Sequence, residues 1–492
     1  MLPKQLSEPG VMPMPLPLIQ PLDPPPDVGE TLRRFADWRN VVLFDSASRR
    51  PELGRYSFLA ADPFEFEELS SVPYEVDPFA RLREWSQRFV SETLPELPPF
   101  QGGAAGLLSY ELGGAWERLP RPPINEFELP WLAVGLYDWV IAWDHELGKA
   151  WIISQGFPAE KAARELRAAE RMQAVIDRLN VGHVFNVPVS ERQAEWHVEN
   201  VPYVLARSPF GSGSSNFSRD EYLRAVERVI EYIRAGDIFQ VNLSQRLLFP
   251  SRDETLALYL RLRALNPAPF AGYFAHDDWV IASASPERFV RVQDGVVETR
   301  PIKGTRRRRH RPEADLFTED ELRESEKDQA ENVMIVDLLR NDLSKVCAPG
   351  SIRVPSLCAV ESYETVQHLV SVVCGTLDHD LNGRQLDAWD LLASIFPGGS
   401  ITGAPKVRAM EIIAELEPTV RGPYCGSLFY VGFDGSTDSS ILIRTFTARR
   451  GWIQCSVGGG IVAQSDPAAE YEETLHKAEG MLRALQSLTS DP

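Results

Sequence analysis

The chain has 492 residues, of which 43% are hydrophobic and 25% charged, and its formal net charge at pH 7 is −19. This acidic balance argues against general nucleic-acid binding, because a phosphate backbone must be met by an excess of lysine and arginine. No stretch approaches the ~20 apolar residues of a membrane-spanning helix. The five cysteines are scattered, without zinc or CxxC spacing. We therefore expect a cytoplasmic protein with reduced thiols.

Proline is frequent at the start of the chain, so residues 1–27 are predicted to be a flexible lead-in. A first region, 28–207, combines short alternating segments at 131–143 and 150–154 with an amphipathic helix near 158–179. Residues 208–217 are rich in turn formers, which predicts a linker.

A second region, 218–487, opens with a helix that Ser218 and Glu221 can cap and that Gly236 ends. Residues 238–249 alternate like a strand, with Gln240 and Asn242 on one face. Further strands are predicted at 279–283, 295–299, 427–433, 440–449 and 452–458. Further helices are predicted at 321–345, 386–394, 405–416 and 467–485. Strands and helices come in separate blocks, which predicts an α+β fold with largely antiparallel sheet.

Two glycine clusters, 398–406 and 458–460, lack the features of nucleotide-binding loops. The residues alone leave two interpretations about equally open. The clusters form tight turns, or they let backbone N–H groups approach an anion.

Two predicted helices carry paired carboxylates. Asp328 and Glu331 share a helix face, as do Glu470 and Glu473, and Lys477 follows one turn later. Each pair taken alone is better explained as solvated surface. If the two helices face each other, the carboxylates converge, and such oxygen ligands are what Mg²⁺ takes.

Eight segments together resemble the chorismate-utilising enzyme family, which includes anthranilate, aminodeoxychorismate, isochorismate and salicylate synthases. They include the runs Pro-Ile-Lys-Gly-Thr and Pro-Gly-Gly-Ser-Ile-Thr-Gly-Ala-Pro-Lys. In chain order the segments are 236–246, 284–289, 301–305, 327–342, 367–371, 397–406, 458–462 and 470–474. The N-terminal region resembles the family more weakly. The implied fold is anthranilate synthase component I-like, with two antiparallel β-sheets packed together and flanking helices.

The resemblance also implies chemical roles. Glu287 would be the general acid that protonates the departing C4 hydroxyl of chorismate, and His368 would lie beside it. The Mg²⁺ ion would hold the ring carboxylate of chorismate, with Glu331, Glu470, Glu473 and the nearby Asp328 as its carboxylates.

Further residues resemble the family's substrate contacts. Arg444 and Tyr424 would grip the enolpyruvyl carboxylate of chorismate, helped by the backbone of Gly459 and Gly460. The remaining contacts would be Thr305, Thr402 and Lys477.

Two positions separate the branches of the family. At the position of Gln240, isochorismate and salicylate synthases look to have a lysine that acts as a base. An amide does not titrate and cannot act in this way, so Gln240 indicates an ammonia-using enzyme. At the position of Lys303, anthranilate synthases look to have an alanine, within the run Pro-Ile-Ala-Gly-Thr. Because burying an ammonium without a role is costly, Lys303 favours the aminodeoxychorismate synthase branch, in which it would attack C2 covalently. The alternatives are anthranilate synthase component I with Lys303 as a bystander, or a non-catalytic scaffold.

The resemblance implies chorismate and ammonia as substrates. No cysteine lies in a nucleophile-elbow context, so a separate glutamine amidotransferase subunit would supply ammonia within a heterodimer. Four residues of the first region resemble the family's tryptophan pocket, and whether tryptophan binds there is left open. They are Ser46, Arg55, Tyr56 and Ser57.

Overall fold

The computed structural model describes residues 17–48, 53–180, 206–207, 213–251, 254–308, 312–362 and 366–486. Its α-helices are α1 (Val28–Phe35), α2 (Ala80–Arg88), α3 (Lys161–Asn180), α4 (Arg219–Ala235), α5 (Thr255–Leu265), α6 (Pro312–Glu324), α7 (Glu326–Leu343), α8 (Ala388–Ile395), α9 (Lys406–Leu416) and α10 (Pro467–Gln486).

The first strands are β1 (Leu18–Leu22), β2 (Val42–Asp45), β3 (Tyr56–Ala60), β4 (Glu65–Leu69), β5 (Gly103–Leu108), β6 (Leu132–Tyr137), β7 (Trp139–Asp144), β8 (Lys149–Ser154), β9 (Ala206–Arg207), β10 (Ser214–Ser215), β11 (Gln240–Pro250) and β12 (Phe270–His276). The later strands are β13 (Trp279–Ser285), β14 (Arg288–Gln293), β15 (Val296–Thr299), β16 (Ile302–Arg307), β17 (Arg353–Ser362), β18 (Val366–Thr376), β19 (Gly403–Ala404), β20 (Ser427–Gly432), β21 (Thr437–Ser440), β22 (Thr445–Arg449) and β23 (Trp452–Ile461).

The strands form two antiparallel sheets. The first has the order β1-β8-β7-β3-β2-β12-β13-β22-β23-β11-β10-β9, with β19 paired to β11. The second has the order β16-β18-β15-β14-β21-β20-β5-β6-β4, with β17 paired to β18. Strands from both regions of the sequence enter both sheets. The predicted α+β fold with two antiparallel sheets is confirmed.

The core lies in layers on and between the sheets. One buried cluster joins inward side chains of both sheets, such as Leu107, Phe274 and Leu428. The outer face of the first sheet is covered by α1, α3, α5 and α10. A further cluster packs α4 and α9 on β11, around Val226 and Ile412. These helices fix β11 and β23, which both carry predicted site residues. No helix among the described residues is long and apolar enough to cross a membrane.

The predicted boundaries of α4 are confirmed by its capping. The Ser218 hydroxyl accepts from the Glu221 N–H, and the Glu221 carboxylate accepts from the Ser218 N–H, which forms a capping box. Gly236 ends the helix at a φ of 85° in the left-handed region.

Two predicted elements are each divided in the structure. The helix expected at 321–345 is two helices, α6 and α7, because Ser325 leaves the helical conformation and caps α7 by accepting from the Asp328 N–H. The strand expected at 440–449 is interrupted between β21 and β22, where Arg444 has a φ of 52°. A left-handed residue cannot continue a strand, so the chain turns there.

The predictions for two connecting segments were wrong in part. Within the expected lead-in, Leu18–Leu22 pairs with β8 at the edge of a sheet, where Pro21 is tolerated because an edge strand has unpaired N–H positions; residues 1–16 lie outside the described residues. Within the expected linker, Ser214–Ser215 pairs with β11, and residues 208–212 lie outside the described residues.

Candidate active site

Lys303 lies on β16 beside a β-bulge. The register between β16 and β18 shifts between Lys303 and Thr305, and Gly304 has a φ of 64°. A Cβ at Gly304 would meet Leu322 Cδ1 at 2.8 Å and Asp328 Cγ at 3.0 Å. Glycine is therefore required both for the backbone conformation and for the close approach of α6 and α7.

The surroundings of Lys303 disfavour the protonated, positively charged form of its side chain. The side chain is half-buried, and burial lowers the pKa of the Lys303 ammonium, although Glu331 and Glu287 oppose this shift. Within the described part of the chain, Lys303 Nζ makes no hydrogen bond and no ion pair. The amine is thus withdrawn from water without being engaged by a fixed partner.

Glu287 lies between β13 and β14 and is 8% exposed. The Ser400 hydroxyl donates to Glu287 Oε1 at 3.0 Å, and the Glu287 N–H donates to Ser285 Oγ at 3.3 Å. Burial raises the pKa of the Glu287 carboxyl, against the opposing effects of Lys303, Ser400 and Arg444. Glu287 is therefore a carboxyl that favours keeping its proton, held in a fixed orientation beside the amine.

The carboxylates of α10 converge on β23. Glu470 is 5% exposed and accepts from the Ser465 hydroxyl at 2.6 Å, while Glu473 pairs with Lys477 Nζ at 2.7 Å. A Cβ at Gly459 would meet Glu470 Oε2 at 3.3 Å and both Glu473 Oε1 and Lys477 Nζ at 3.6 Å. The absence of a side chain at Gly459 leaves this space open.

The carboxylates of α7 approach the same place. Burial raises the pKa of Glu331, and the charges of Asp328 and Glu470 raise it further. Asp328 also accepts from Arg306 Nη2 at 3.1 Å. Glu331 is thus near enough to Glu470 for their charges to interact, and the convergence of all four sequence-predicted carboxylates remains a prediction.

The carboxylates of α7 and α10 suit a metal ion by the chemistry of their oxygen atoms, not by their arrangement in this structure. Among the described residues, no group of three or more His, Cys, Asp and Glu side chains is arranged to hold an ion. The donors are carboxylate oxygens, which suit Mg²⁺, and Glu473 raises the pKa of Glu470 as Glu470 raises that of Glu331. A cation would relieve this repulsion. The individual ligands remain a prediction.

Gln240 is fully buried, and neither end of its amide has a hydrogen-bond partner within the described structure. A Cβ at Gly460 would meet Gln240 Nε2 at 2.3 Å. Asn242, which is opposite Gly460 in the register of β11 and β23, likewise has an unpartnered Oδ1. Unsatisfied buried amides are costly, so a polar ligand is expected beside them. We call the surface formed by these two amides the Gln240–Asn242 wall.

The predicted contacts Thr402 and His368 are both buried. Thr402 Oγ1 donates to the Gly398 carbonyl at 3.0 Å, so its proton is already committed and it can only accept from a ligand. His368 lies on β18 opposite Thr305. The side chain of Thr305 lies outside the described part of the structure.

Tyr424 and Arg444 occupy different settings. Tyr424 is 7% exposed, whereas Arg444 is exposed on the turn between β21 and β22. The charge of Arg444 lowers the pKa of Glu287, so its guanidinium lies near the acid. A contact of Arg444 and Tyr424 with one carboxylate remains a prediction.

Two site contacts were not found from the sequence: that of Ser400 with Glu287, and that of Ser465 with Glu470. Ser400 lies within one of the recognised runs, but nothing in that pattern says where its hydroxyl points. Ser465 lies just before the helix predicted at 467–485, and a serine near a helix start is so common that it gave no signal.

The chain as a whole is similar to known proteins. Residues 46–483 match a protein family described as chorismate binding enzyme. The chain belongs to that family. The predicted class, a chorismate-utilising enzyme, is thereby confirmed.

Three relatives illustrate the similarity. Aminodeoxychorismate synthase component 1 of Klebsiella aerogenes is 42% identical over 390 residues, which cover 79% of this chain and 78% of that protein. Anthranilate synthase component 1 of Thermus thermophilus is 43% identical over 395 residues, 80% of each. The crystal structure of anthranilate synthase component I from Streptococcus pneumoniae aligns with a TM-score of 0.72 at 30% identity, over 88% of this chain and 93% of that one. Overall identity therefore does not separate the two branches of the chorismate-binding family.

The resemblance to the family's tryptophan pocket falls on a cleft of about 990 Å³, whose lining includes Ser46, Arg55 and Tyr56 but neither Lys303 nor Glu287. The Ser46 hydroxyl donates to the Tyr56 carbonyl at 2.6 Å. Ser57 is fully buried and supports Ser46 by accepting from its N–H at 3.0 Å. The four residues lie together, and tryptophan binding remains a prediction.

Proposed function

We propose that this chain is the synthase component that converts chorismate and ammonia into 4-amino-4-deoxychorismate, on the route to 4-aminobenzoate. The observation that carries the proposal is Lys303. Its amine has a pKa lowered by burial, no fixed partner among the described residues, and the raised-pKa carboxyl of Glu287 as a neighbour. The proposal agrees with the relative named aminodeoxychorismate synthase component 1, at 42% identity, but Lys303 rather than overall identity favours this branch.

Lys303 would act as the nucleophile. A free lysine with a pKa of about 10.4 is almost all protonated at neutral pH, so the effect of burial increases the reactive fraction. Lys303 Nζ bonds to C2 of chorismate, the ring double bonds shift, and the C4–oxygen bond breaks. Ammonia then bonds to C4, the double bonds shift back, and the bond between C2 and Lys303 breaks.

Glu287 would supply the proton that the departing oxygen needs, so that water leaves instead of hydroxide. Burial favours the protonated carboxyl before reaction. The Ser400 hydroxyl holds one oxygen of Glu287, which leaves the other to carry the proton.

Glu331, Glu470 and Glu473 would hold Mg²⁺. When bound, the ion would neutralise the ring carboxylate of chorismate and withdraw electron density from the ring. Glu473→Gln should abolish the part of the turnover that depends on added Mg²⁺, measured with and without EDTA. Full activity in EDTA would contradict the metal assignment.

The ammonia would come from a separate glutamine amidotransferase subunit. Burial raises the pKa of all five thiols, that of Cys347 to about 11 and those of Cys425 and Cys455 to about 12. The thiolate is the nucleophilic form of cysteine, so these thiols are poorly suited to glutamine hydrolysis. Glutamine alone should therefore give no turnover until a partner subunit is added.

Product identity tests the proposal. Purified protein with chorismate, Mg²⁺ and an ammonium salt should form a product that a separate lyase converts to 4-aminobenzoate. Anthranilate, which is fluorescent, would be the main product of the rival branch, to which the Thermus thermophilus relative at 43% identity belongs. Anthranilate as the main product would overturn the proposal.

A further inference from the structure

Behind the wall formed by Gln240 and Asn242 lies a buried ion pair between Glu417 and Arg421. Each residue is 3% exposed. Arg421 Nε donates to Glu417 Oε2 at 2.9 Å and Arg421 Nη2 donates to Glu417 Oε1 at 2.6 Å. Burial opposes the charge on Arg421, yet Glu417 and its other neighbours hold the pKa of Arg421 above its ordinary value. Arg421 is thus a permanent buried cation.

The guanidinium of Arg421 also donates hydrogen bonds to two backbone carbonyls of the candidate active site. Arg421 Nη2 donates to the Asn242 carbonyl at 2.6 Å, and Arg421 Nη1 donates to the Ile401 carbonyl at 3.1 Å. The Asn242 N–H in turn donates to the Thr402 carbonyl at 2.8 Å. One guanidinium therefore ties β11 to the glycine-rich turn that carries Ser400 and Thr402.

Glu417 binds the same strand, β11, at Ser244, two residues after Asn242. Glu417 Oε1 accepts from both the N–H and the hydroxyl of Ser244, each at 2.9 Å. Asn242 and Ser244 share the strand face on which Gln240 also lies. The pair therefore bonds directly to two of the residues on this face, Asn242 and Ser244.

The pair is itself fixed from the N-terminal region. The carboxylate of Glu111 accepts from the N–H groups of Arg421 at 2.8 Å and Gly422 at 3.0 Å. The guanidinium lies 4.8 Å from the ring centre of Tyr110 and 5.6 Å from that of Tyr424. A planar, always-charged guanidinium can make these contacts together, and a lysine ammonium cannot.

From this geometry we propose that the Glu417–Arg421 pair is a positioning device of the active site. It sets the place of the Gln240–Asn242 wall relative to the turn that holds Ser400 and Thr402, and so of both relative to the bound ring. The inference rests on the proposed function of the site. Replacement of a buried pair by apolar residues need not cost stability, so a gain in stability does not by itself account for this pair.

The test compares conservative variants of two buried arginines, Arg421, which contacts β11 from the loop after α9, and Arg246, which lies on β11. Arg421→Lys keeps the charge and removes the fork. Arg246→Lys is the matched control, because Arg246 is 4% exposed and forms a two-point contact with Glu126 at 2.6 and 2.8 Å. For each variant, kcat with ammonium salt, the dissociation constant for chorismate, and the folded fraction by circular dichroism are measured well below the melting temperature.

We expect kcat per folded molecule to fall about 10- to 100-fold in Arg421→Lys, since misplacement by 1 Å can cost a factor of 100. Chorismate affinity should change by less than about threefold, because within the described part of the chain the pair makes no hydrogen bond to the carboxylates of α7 and α10 that are proposed to hold the ring carboxylate through Mg²⁺. Arg246→Lys should lose thermal stability only. Parent kcat in folded Arg421→Lys, or equal losses in both variants, would overturn the proposal.

If Arg421→Lys does not fold, Glu417→Gln provides the same comparison, since the amide oxygen still accepts from Ser244 while the ion pair is lost. Unchanged kcat in that variant would also overturn the inference. The identity of the parent product is measured first and separately. A parent that forms anthranilate would contradict the proposed function, and the ratio of variant to parent kcat would still decide the role of the pair.

Discussion

Lys303 and Lys406 are two lysines withdrawn from water in the catalytic region, and their surroundings differ in one respect. Lys406 Nζ donates to the Ile395 carbonyl at 2.8 Å and pairs with Asp342 Oδ2 at 2.6 Å. Lys303 has no such partner among the described residues. Burial lowers the pKa of both ammonium groups. Burial alone therefore does not distinguish a reactive lysine from a structural one; a lysine with fixed partners is held, and one without them is available to attack.

The comparison also refines the sequence argument. The cost of burying an ammonium implies that a buried lysine has a role, but Lys406 shows that the role can be to join α7 and α9 through Asp342. Lys303 retains its proposed chemistry because Glu331 and Glu287, which belong to the site, act on the pKa of Lys303 through their charges and form no ion pair with it among the described residues.

The largest expected effects come from removing each amine. Lys303→Ala should lower kcat with ammonium at least about 100-fold, at the lower end of what a positioned reacting group contributes, with little change in the free energy of unfolding. Lys406→Ala should lower the free energy of unfolding by about 3 kcal/mol, because Asp342 is left buried with Lys345 as its one remaining ion-pair partner among the described residues. Kinetics and urea unfolding of both variants check this pattern, and the reverse pattern would break the comparison.

The next effect concerns the acid beside Lys303. Glu287→Gln keeps the shape and can still accept from Ser400, but an amide cannot protonate the leaving oxygen, so kcat should fall about 10²- to 10⁴-fold. Asp138→Asn is the control, since Asp138 is another buried carboxyl with a raised pKa and it pairs with Arg171, away from the site. Parent-like turnover in Glu287→Gln would remove Glu287 from the mechanism.

A smaller effect is expected from Ser400→Ala. The hydrogen bond from Ser400 lowers the pKa of Glu287, so its loss should raise that pKa and move the corresponding limb of the kcat/KM profile to higher pH. The rate should fall about tenfold, since a hydrogen bond to a charged group contributes about 1.5 kcal/mol. Ser400→Thr should restore both. A fall in rate with no shift in the pH profile of kcat/KM would mean that Ser400 stabilises the glycine-rich turn and does not set the pKa of Glu287.

Much of this arrangement could be predicted from the sequence, because capping and periodicity are local. The ends of α4 follow from Ser218, Glu221 and Gly236. Carboxylates three residues apart predict a shared helix face, whereas their convergence was conditional on two helices that face each other. The break at Ser325 was missed because a helical pattern continues through it. The turn at Arg444 was missed because a left-handed arginine has no sequence signal.

The long-range contacts could not be predicted for a different reason. The bond between Ser400 and Glu287 spans 113 positions, and the contact of Arg421 with the Asn242 carbonyl spans 179. Such pairs depend on how the sheets pack, which strand patterns do not encode. The motifs therefore indicated which residues to consider, and the structure supplied which of them touch.

The most direct test of the account is a search for a covalent intermediate. Parent enzyme is incubated with chorismate and Mg²⁺ without ammonia, quenched, digested and analysed by mass spectrometry. The peptide containing Lys303 should carry the added mass of chorismate less water, while the peptide containing Lys406 in the same digest stays unmodified and Lys303→Ala shows no adduct. An unmodified Lys303 in the parent, together with parent-like turnover of Lys303→Ala, would contradict the account.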